Sequence, residues 1–426
     1  MLYLTIIGGA FIAWLILVFL FTPAIPYHIE APIDTRSDHF IHVLESTCHS
    51  TLERDNKVEI LTDGTMFYPA MLDAICGARE TVNMECYIFK RGEIGNRFIE
   101  ALADRARAGV RVTIVMDAVG SFGAFHRSAR PLREAGCRVE PYQRMRWYSL
   151  ARLNNRTHRE LLVVDGQIAF VGGAGVADWW WKPGGKRHRP GRPMWRDMMA
   201  RIEGPVVADI QGVVAENWLE CCGEILTGPL TYKRSVAAGA SPAFAIRSSP
   251  SDRATVSRVL FQTLVEASAR RVRITTPYFL PDKAFRVAFR RTATRGVDVV
   301  VIVPGRNTDQ RWVRLASRRL YGQLLEAGVR IFEYGPGMTH SKALLVDDLW
   351  AVIGTTNLDD RFVAHGDVHF VVVNVAVRDE AVVARINCDF ERDLARCEEM
   401  TLEAWRRRPV WEKLIGTVAW ILERQQ

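Results

Sequence analysis

Four stretches of this sequence recur in the same order roughly 190 residues further on. Ala78-Arg79, followed by an apolar run to Tyr87-Ile88-Phe89, is echoed by Ala269-Arg270 running to Tyr278-Phe279-Leu280. GVRVTIVMD from Gly109 returns as GVDVVVIVP from Gly296, EAGCRVEPY from Glu134 as EAGVRIFEY from Glu326, and His158 as His340. Shared order at nearly constant spacing argues for duplication over chance, so the chain must build two similar units and pack them. VRVTIVMD and VDVVVIVP read as compact buried strands. Ile94–Ala108 and Ala284–Arg295 space their apolar residues by three and four, which predicts a helix before each strand. Strand and helix alternate, so each unit is α/β with its sheet covered by helices. Gly, Pro and Ser cluster over Gly228–Ser251, which sets the units at 56–228 and 229–400.

The ends read differently. From Leu2 to Phe21 no side chain is charged, and twenty residues at ~1.5 Å rise make a helix of ~30 Å, about the hydrocarbon thickness of a bilayer. Trp14 and Tyr27 suit interfacial anchors, and Pro23 and Pro26 end the helix. A cleaved signal peptide needs a basic start and a small-residue cleavage site, and this chain offers neither. Residues 1–27 are therefore read as an uncleaved transmembrane anchor and 28–55 as a juxtamembrane linker. Residues 401–426 place Trp411, Leu414, Ile415, Val418 and Leu422 on one helical face beside Arg406–Arg408. That amphipathic helix fits a membrane surface and a docked terminal helix equally.

A net charge of +8 and a pI near 9.2 point to an anionic partner: phosphate substrates, lipid headgroups or nucleic acid. Hydrophobic content of 48% with 24% charged residues is globular, which excludes a disordered chain. The eight cysteines show no CxxC spacing, so no zinc site is expected.

The clearest chemistry lies in the second unit: His340-Ser341-Lys342, then Asp347, then Gly354-Thr355-Thr356-Asn357. Lys342–Val346 reads as strand, and residues two apart share a face, so the His340 imidazole and the Lys342 ammonium point the same way. An imidazole attacks or protonates at phosphorus while a lysine holds the phosphate oxygens, and Asn357 adds a neutral donor beside Thr355. The first unit reads His158-Arg159-Glu160, then Asp165, then Gly172-Gly173-Ala174-Gly175. Glu160 stands where the other copy has lysine, and Gly175 where it has asparagine. A carboxylate and a phosphate ~4 Å apart repel by ~4 kcal/mol at an effective dielectric near 20. Glu160 is thus read in three ways: paired with Arg156 or Arg159, working on a proton or the acceptor alcohol, or marking a degraded half-site.

The HxKxxxxD…GxxN pattern resembles the signature of the phospholipase D superfamily. With ITTPYFLPD (274–282), SRRLYGQLLEAGVRIFEYGPGMTHSK (317–342), NLDDR (357–361), ECYIFKRGEIG (85–95), RARAGVRV (105–112), WRD (195–197) and IEGP (202–205), the chain is similar to bacterial cardiolipin synthases from about Val58 to Arg408. The resemblance implies two phospholipase D-like α/β domains, each a mixed sheet flanked by helices, related by a pseudo-twofold axis and preceded here by the transmembrane helix. It implies catalytic roles for His158, His340, Lys342, Glu160 and the motif aspartates Asp165 and Asp347, although those two stand at strand ends and also read as structural. One histidine, His158 by analogy, would form a phosphohistidine, and the other would protonate the departing alkoxide. Asp197 in WRD and Asp367 in HGDVHF would orient the histidines. No metal or other cofactor is implied. The partners implied are an anionic phospholipid and the bilayer of a bacterial inner membrane; nucleic acid is disfavoured though not excluded, and oligomeric state is not legible. The implied function is a phosphatidyltransferase acting on phosphatidylglycerol, with a phospholipase D or nuclease-type hydrolase, or a silent lipid-binding homologue, as alternatives. Trp179–Trp181 and the basic loop to Pro193 suit a lipid entrance, a nucleic-acid channel or core tryptophans beside a solvated loop.

Overall fold

The computed structural model describes residues 28–123, 125–143, 155–183, 193–228, 231–232, 236–249, 255–359 and 369–423, with residues 3, 7–11 and 14 of the amino-terminal run. Strands of the first half are β1 (Glu53–Thr62), β2 (Thr81–Cys86), β3 (Arg111–Asp117), β4 (Arg138–Tyr142), β5 (Asn155–Thr157), β6 (Leu161–Val164), β7 (Ile168–Gly172) and β8 (Met198–Glu203). Those of the second are β9 (Ser241–Ser248), β10 (Arg271–Thr275), β11 (Phe279–Leu280), β12 (Asp298–Pro304), β13 (Arg330–Tyr334), β14 (Ala343–Val346), β15 (Trp350–Gly354), β16 (Leu358–Asp359), β17 (His369–Arg378) and β18 (Cys397–Glu399).

The echoed runs are β3 and β12, each buried at every residue but the first. Burial on both faces is what a continuous Val/Ile run demands, and it places both strands between helices. Among the described residues sixteen strands form one sheet, ordered β18-β13-β12-β10-β14-β15-β17-β9-β1-β8-β7-β6-β2-β3-β4, with β5 added to β17. Outward from the β1–β9 contact, both sides repeat one plan: β1-β8-β7-β6-β2-β3-β4 and β9-β17-β15-β14-β10-β12-β13. The duplication is thus a pseudo-twofold pairing of two mixed sheets, parallel at the outer strands and antiparallel toward the centre. One apolar cluster lies under each half, and a third on the opposite face joins Leu161 and Val163 to Ala343 and Leu345 across the seam.

The helices before β3 and β12 are Glu93–Arg107 and Lys283–Thr294. Each starts one residue earlier than apolar spacing predicts, because capping groups set the start. Asp282 accepts the Phe285 N–H, and Asp178 accepts the N–H groups of Glu93 and Ile94.

The stretch 28–55 differs from the expected linker. Asp38–Cys48 is a helix whose Phe40, Ile41 and Leu44 are buried in the second half's core, and Trp350 Nε1 donates to the Thr35 carbonyl at 2.9 Å. Its apolar positions, Phe40, Ile41 and Leu44, are spaced for one helical face. Most of the anchor, residues 1–27, lies outside the described residues; among those described, no helix is long and apolar enough to cross a membrane. At the other end, Val410–Glu423 lies along the helix Arg311–Glu326. An added methyl at Gly416 would stand 2.9 Å from the Leu315 carbonyl, and Glu412 meets Arg318 at 2.7 Å. The helix is docked, yet Val410, Trp411, Leu414 and Val418 remain exposed.

Candidate active site

Each histidine is held by backbone from the opposite half. His340 donates its N–H to the Arg196 carbonyl at 2.7 Å, and His158 donates to the Val371 carbonyl at 2.9 Å. β5, just before His158, pairs in parallel with β17, and Thr339 bridges in parallel to Arg196. The two motifs therefore meet at the seam of the sheet.

The His340 ring is buried, with Nδ1 2.9 Å from Asp197 Oδ2. With Nδ1–H donating to that carboxylate, the Nε2 lone pair is the reactive face. Lys342, immediately before β14, donates Nζ–H to the His340 carbonyl at 2.8 Å and stands within 3.3 Å of the ring. Trp180, Trp195 and Tyr278 wall the imidazole, with ring centroids 5.4, 5.4 and 6.5 Å away. Burial and then the adjacent ammonium pull the His340 pKa down, against the opposing pull of Asp197. Burial also draws the Lys342 pKa down to about 8. Gly173 makes the carboxylate's approach possible: an added methyl would lie 2.7 Å from Asp197 Oδ1 and 3.1 Å from the His340 carbonyl.

His158 sits in a different environment. Its Nδ1 is 3.1 Å from the Thr355 carbonyl, and its ring lies 5.1 Å from that of Tyr87. Thr355 is fixed by β17, which receives its N–H at 2.9 Å and returns the Val373 N–H to its hydroxyl at 3.1 Å. The Nδ1 of His158 thus meets a neutral carbonyl, where the Nδ1 of His340 meets a carboxylate.

Glu160 is buried between the halves, and its Oε1 accepts the Ile88 N–H at 3.2 Å. Burial drives its carboxyl well above the ordinary range, opposed by the Ile88 amide and by Lys342. Neither expected arginine serves it. Arg159 gives its guanidinium to Glu216 at 2.6 Å and to the Val213 carbonyl at 2.8 Å, and Arg156 faces Asp117 at 3.7 Å. The cation bearing on Glu160 is Lys342, from the other half.

Asp165 and Asp347 are not brought to the site. Asp165 accepts the N–H groups of Arg79, Glu80 and Thr81, and Asp347 those of Ala269, Arg270 and Arg271. Each closes the far end of its strand, about 15 Å along the chain from the reactive end. Asn357 is buried, with its Oδ1 lacking a hydrogen-bond partner among the described residues, and lines a small cavity with Thr356 and Arg258. Asp367 lies outside the described residues. On the ladder Gly172 faces Met199 as Gly354 faces Asn374, so the strand position that matches Asp197 is Val372. Among the described residues no group of three or more His, Cys, Asp or Glu is arranged to hold a metal ion.

Comparison with known proteins gives the same answer from two directions. The family model for the cardiolipin synthase, phospholipase D-like domain matches residues 71–183 and 260–394, both motifs included. Cardiolipin synthase A of Pseudomonas putida is 34% identical over 340 residues, covering 79% of this chain and 69% of its own; the cardiolipin synthase of Alkalihalophilus pseudofirmus is 31% identical over 370 residues, covering 86% and 72%. The chain belongs to this family. It is an enzyme of the phosphatidyltransferase and phosphodiesterase class. The fold is that of a phosphatidylserine synthase from Haemophilus influenzae, TM-score 0.68 at 13% identity, covering 90% of this chain and 98% of that one. A polyphosphate kinase from Porphyromonas gingivalis shares it more distantly, at TM-score 0.54.

Beside the family motifs stand residues that the sequence reading did not single out. Tyr87 and Tyr278 pack on the two histidines, and Tyr278 donates to Asp309 at 2.8 Å. Both occupy the same place in the repeat, which was the available signal. Glu85, which hydrogen-bonds Thr157 and Asn217, is pushed by burial to about 7, and Asp117, which accepts the Thr157 N–H at 3.2 Å, to about 6. These carboxyls brace the residue before His158. Trp180 is wholly buried against His340, so at that tryptophan the core reading holds; residues 184–192 of the basic loop lie outside the described residues.

Proposed function

We propose that the chain moves a phosphatidyl group from phosphatidylglycerol to an alcohol, a second phosphatidylglycerol, through a phosphatidyl-histidine on His158. The observation that carries the reading is the Asp197 carboxylate on His340 Nδ1, in a site that the two motifs share across the seam. A carbonyl at His158 Nδ1 accepts the Nδ1–H and so leaves the lone pair on Nε2, the nitrogen that would attack phosphorus. A carboxylate at His340 Nδ1 stabilises the imidazolium, which suits a group that gives a proton to departing glycerol and then takes one from the incoming alcohol. Lys342 lies where it can hold a non-bridging oxygen as charge develops. The apolar run Leu2–Phe21 would anchor the enzyme to a bacterial inner membrane by a single crossing, and the exposed Trp411, Leu414 and Val418 would rest on the bilayer surface.

The test is product analysis with labelled phosphatidylglycerol in mixed micelles. Cardiolipin with free glycerol from wild type, lost in His340→Ala, is the expected result. Phosphatidic acid as the main product would assign hydrolysis instead. No turnover of lipid by wild type would sink the reading.

A further inference from the structure

The two departures in the first motif are one structural change. The position matching Asn357 is Gly175, where an added methyl would stand 2.8 Å from Glu160 Oε1 and 2.5 Å from the Ile88 carbonyl. The missing side chain leaves the room that the Glu160 carboxyl fills. Tyr68 locks this glycine in place, its hydroxyl donating to the Gly175 carbonyl at 2.5 Å. Glu160 is thus built in, which a decaying half-site would not require.

Its surroundings say in what form. Among the described residues the titratable groups bearing on it are Lys342 before β14, Asp197 before β8, Tyr68 on the helix Gly64–Gly77 and Cys86 on β2, beside the backbone amides of Tyr87 and Ile88. Among the described residues Lys342 is the one ammonium bearing on Glu160, and a single ammonium cannot neutralise Asp197, an ionised Glu160 and an arriving phosphodiester together. Placing the anion beside them favours the neutral carboxyl further. A neutral carboxyl has what a phosphate oxygen needs, an O–H donor.

We propose that Glu160 carries its proton in the working enzyme and donates it in a hydrogen bond to a non-bridging phosphoryl oxygen, doing from the first half what the Lys342 ammonium does from the second. The assignment rests on the proposed phosphodiester site, but its test does not need phosphatidyl transfer. Vanadate, which requires only the phosphate-binding groups, is titrated calorimetrically into the purified full-length protein. Glu160→Ala should weaken binding about 10–100-fold, the loss of one hydrogen bond to a charged group, and the isosteric Glu160→Gln should restore all but about threefold of it. Infrared difference spectra of wild type against Glu160→Gln should show the carbonyl band of a protonated carboxyl, with Glu85 cancelling. Glu160→Gln as weak as Glu160→Ala, an undiminished Glu160→Ala, or no such band would each overturn the proposal. A wild type that binds vanadate but forms no cardiolipin would sink the transfer reading and leave this one standing.

Discussion

A methyl at Gly175 would meet the Ile88 carbonyl at 2.5 Å and a carboxyl oxygen of Glu160 at 2.8 Å, distances that force backbone or side chain to move. Gly175→Ala should therefore lower stability by about 1–3 kcal/mol, the usual range for overpacking, and reduce turnover beyond that loss; denaturant unfolding and a lipid assay on one preparation check both. Lys342 offers a test by pH. Its pKa lies below that of a free lysine, at about 8, so the ammonium is present below that pH and is lost as pH rises through it. kcat/KM should fall along that limb, and Lys342→Arg should remove the limb from the neutral range, because guanidinium stays charged. The His340–Lys342 pair was legible because a strand's period of two decides which side chains are neighbours. The partners of Glu160 were not. Arg159 is adjacent in sequence and Lys342 is 182 residues away, yet strand alternation turns Arg159 to the other face, where Glu216 receives it.

At the scale of elements, Asp165 and Asp347 show how a motif can mix chemistry with architecture. Each stands in a left-handed turn, φ 51° and 53°, and accepts three backbone N–H groups. Asp165→Ala and Asp347→Ala should each cost about 2–4 kcal/mol of stability, read from thermal or denaturant unfolding, with specific activity per folded molecule retained. A loss of activity without a loss of stability would return these aspartates to the site. Strands and crossover helices were legible from apolar periodicity, as β3, β12 and the helices before them show. The strand register was not. By position in the sequence Asp367 reads as the match for Asp197; on the ladder from Gly354 to Asn374 the matching strand position is Val372, and Asp367 itself lies outside the described residues. Register is fixed by pairing across the sheet, which local pattern does not encode.

Over the whole molecule, the duplication fixes where function can sit. The sheet runs unbroken through the β1–β9 seam, and each histidine takes a ring contact and a backbone contact from across it: Asp197 to His340, Thr355 to His158, and the carbonyls of Arg196 and Val371 to their amides. Arg196 ties the crossing down, reaching Asp63 in the first half at 2.7 Å and Asp393 in the second at 2.9 Å. Neither half holds a complete site alone. Asp197→Asn, which leaves the packing intact but cannot stabilise an imidazolium at His340, should lower kcat by about 10²–10⁴-fold with little change in melting temperature. The repeat announced this arrangement in the sequence, but the asymmetry within it, a carboxylate on one imidazole and a carbonyl on the other, emerged only from the fold.

That asymmetry is tested most directly by trapping the intermediate. His340→Ala, which keeps the proposed nucleophile and removes its acid and base, would be incubated with phosphatidylglycerol bearing a good leaving group. It would then be quenched in alkaline denaturant, which spares the phosphorus–nitrogen bond, and mapped by peptide mass. The account predicts a phosphatidyl adduct on His158, absent from the His158→Ala variant. An adduct on His340 in His158→Ala, with none on His158 in His340→Ala, would contradict it.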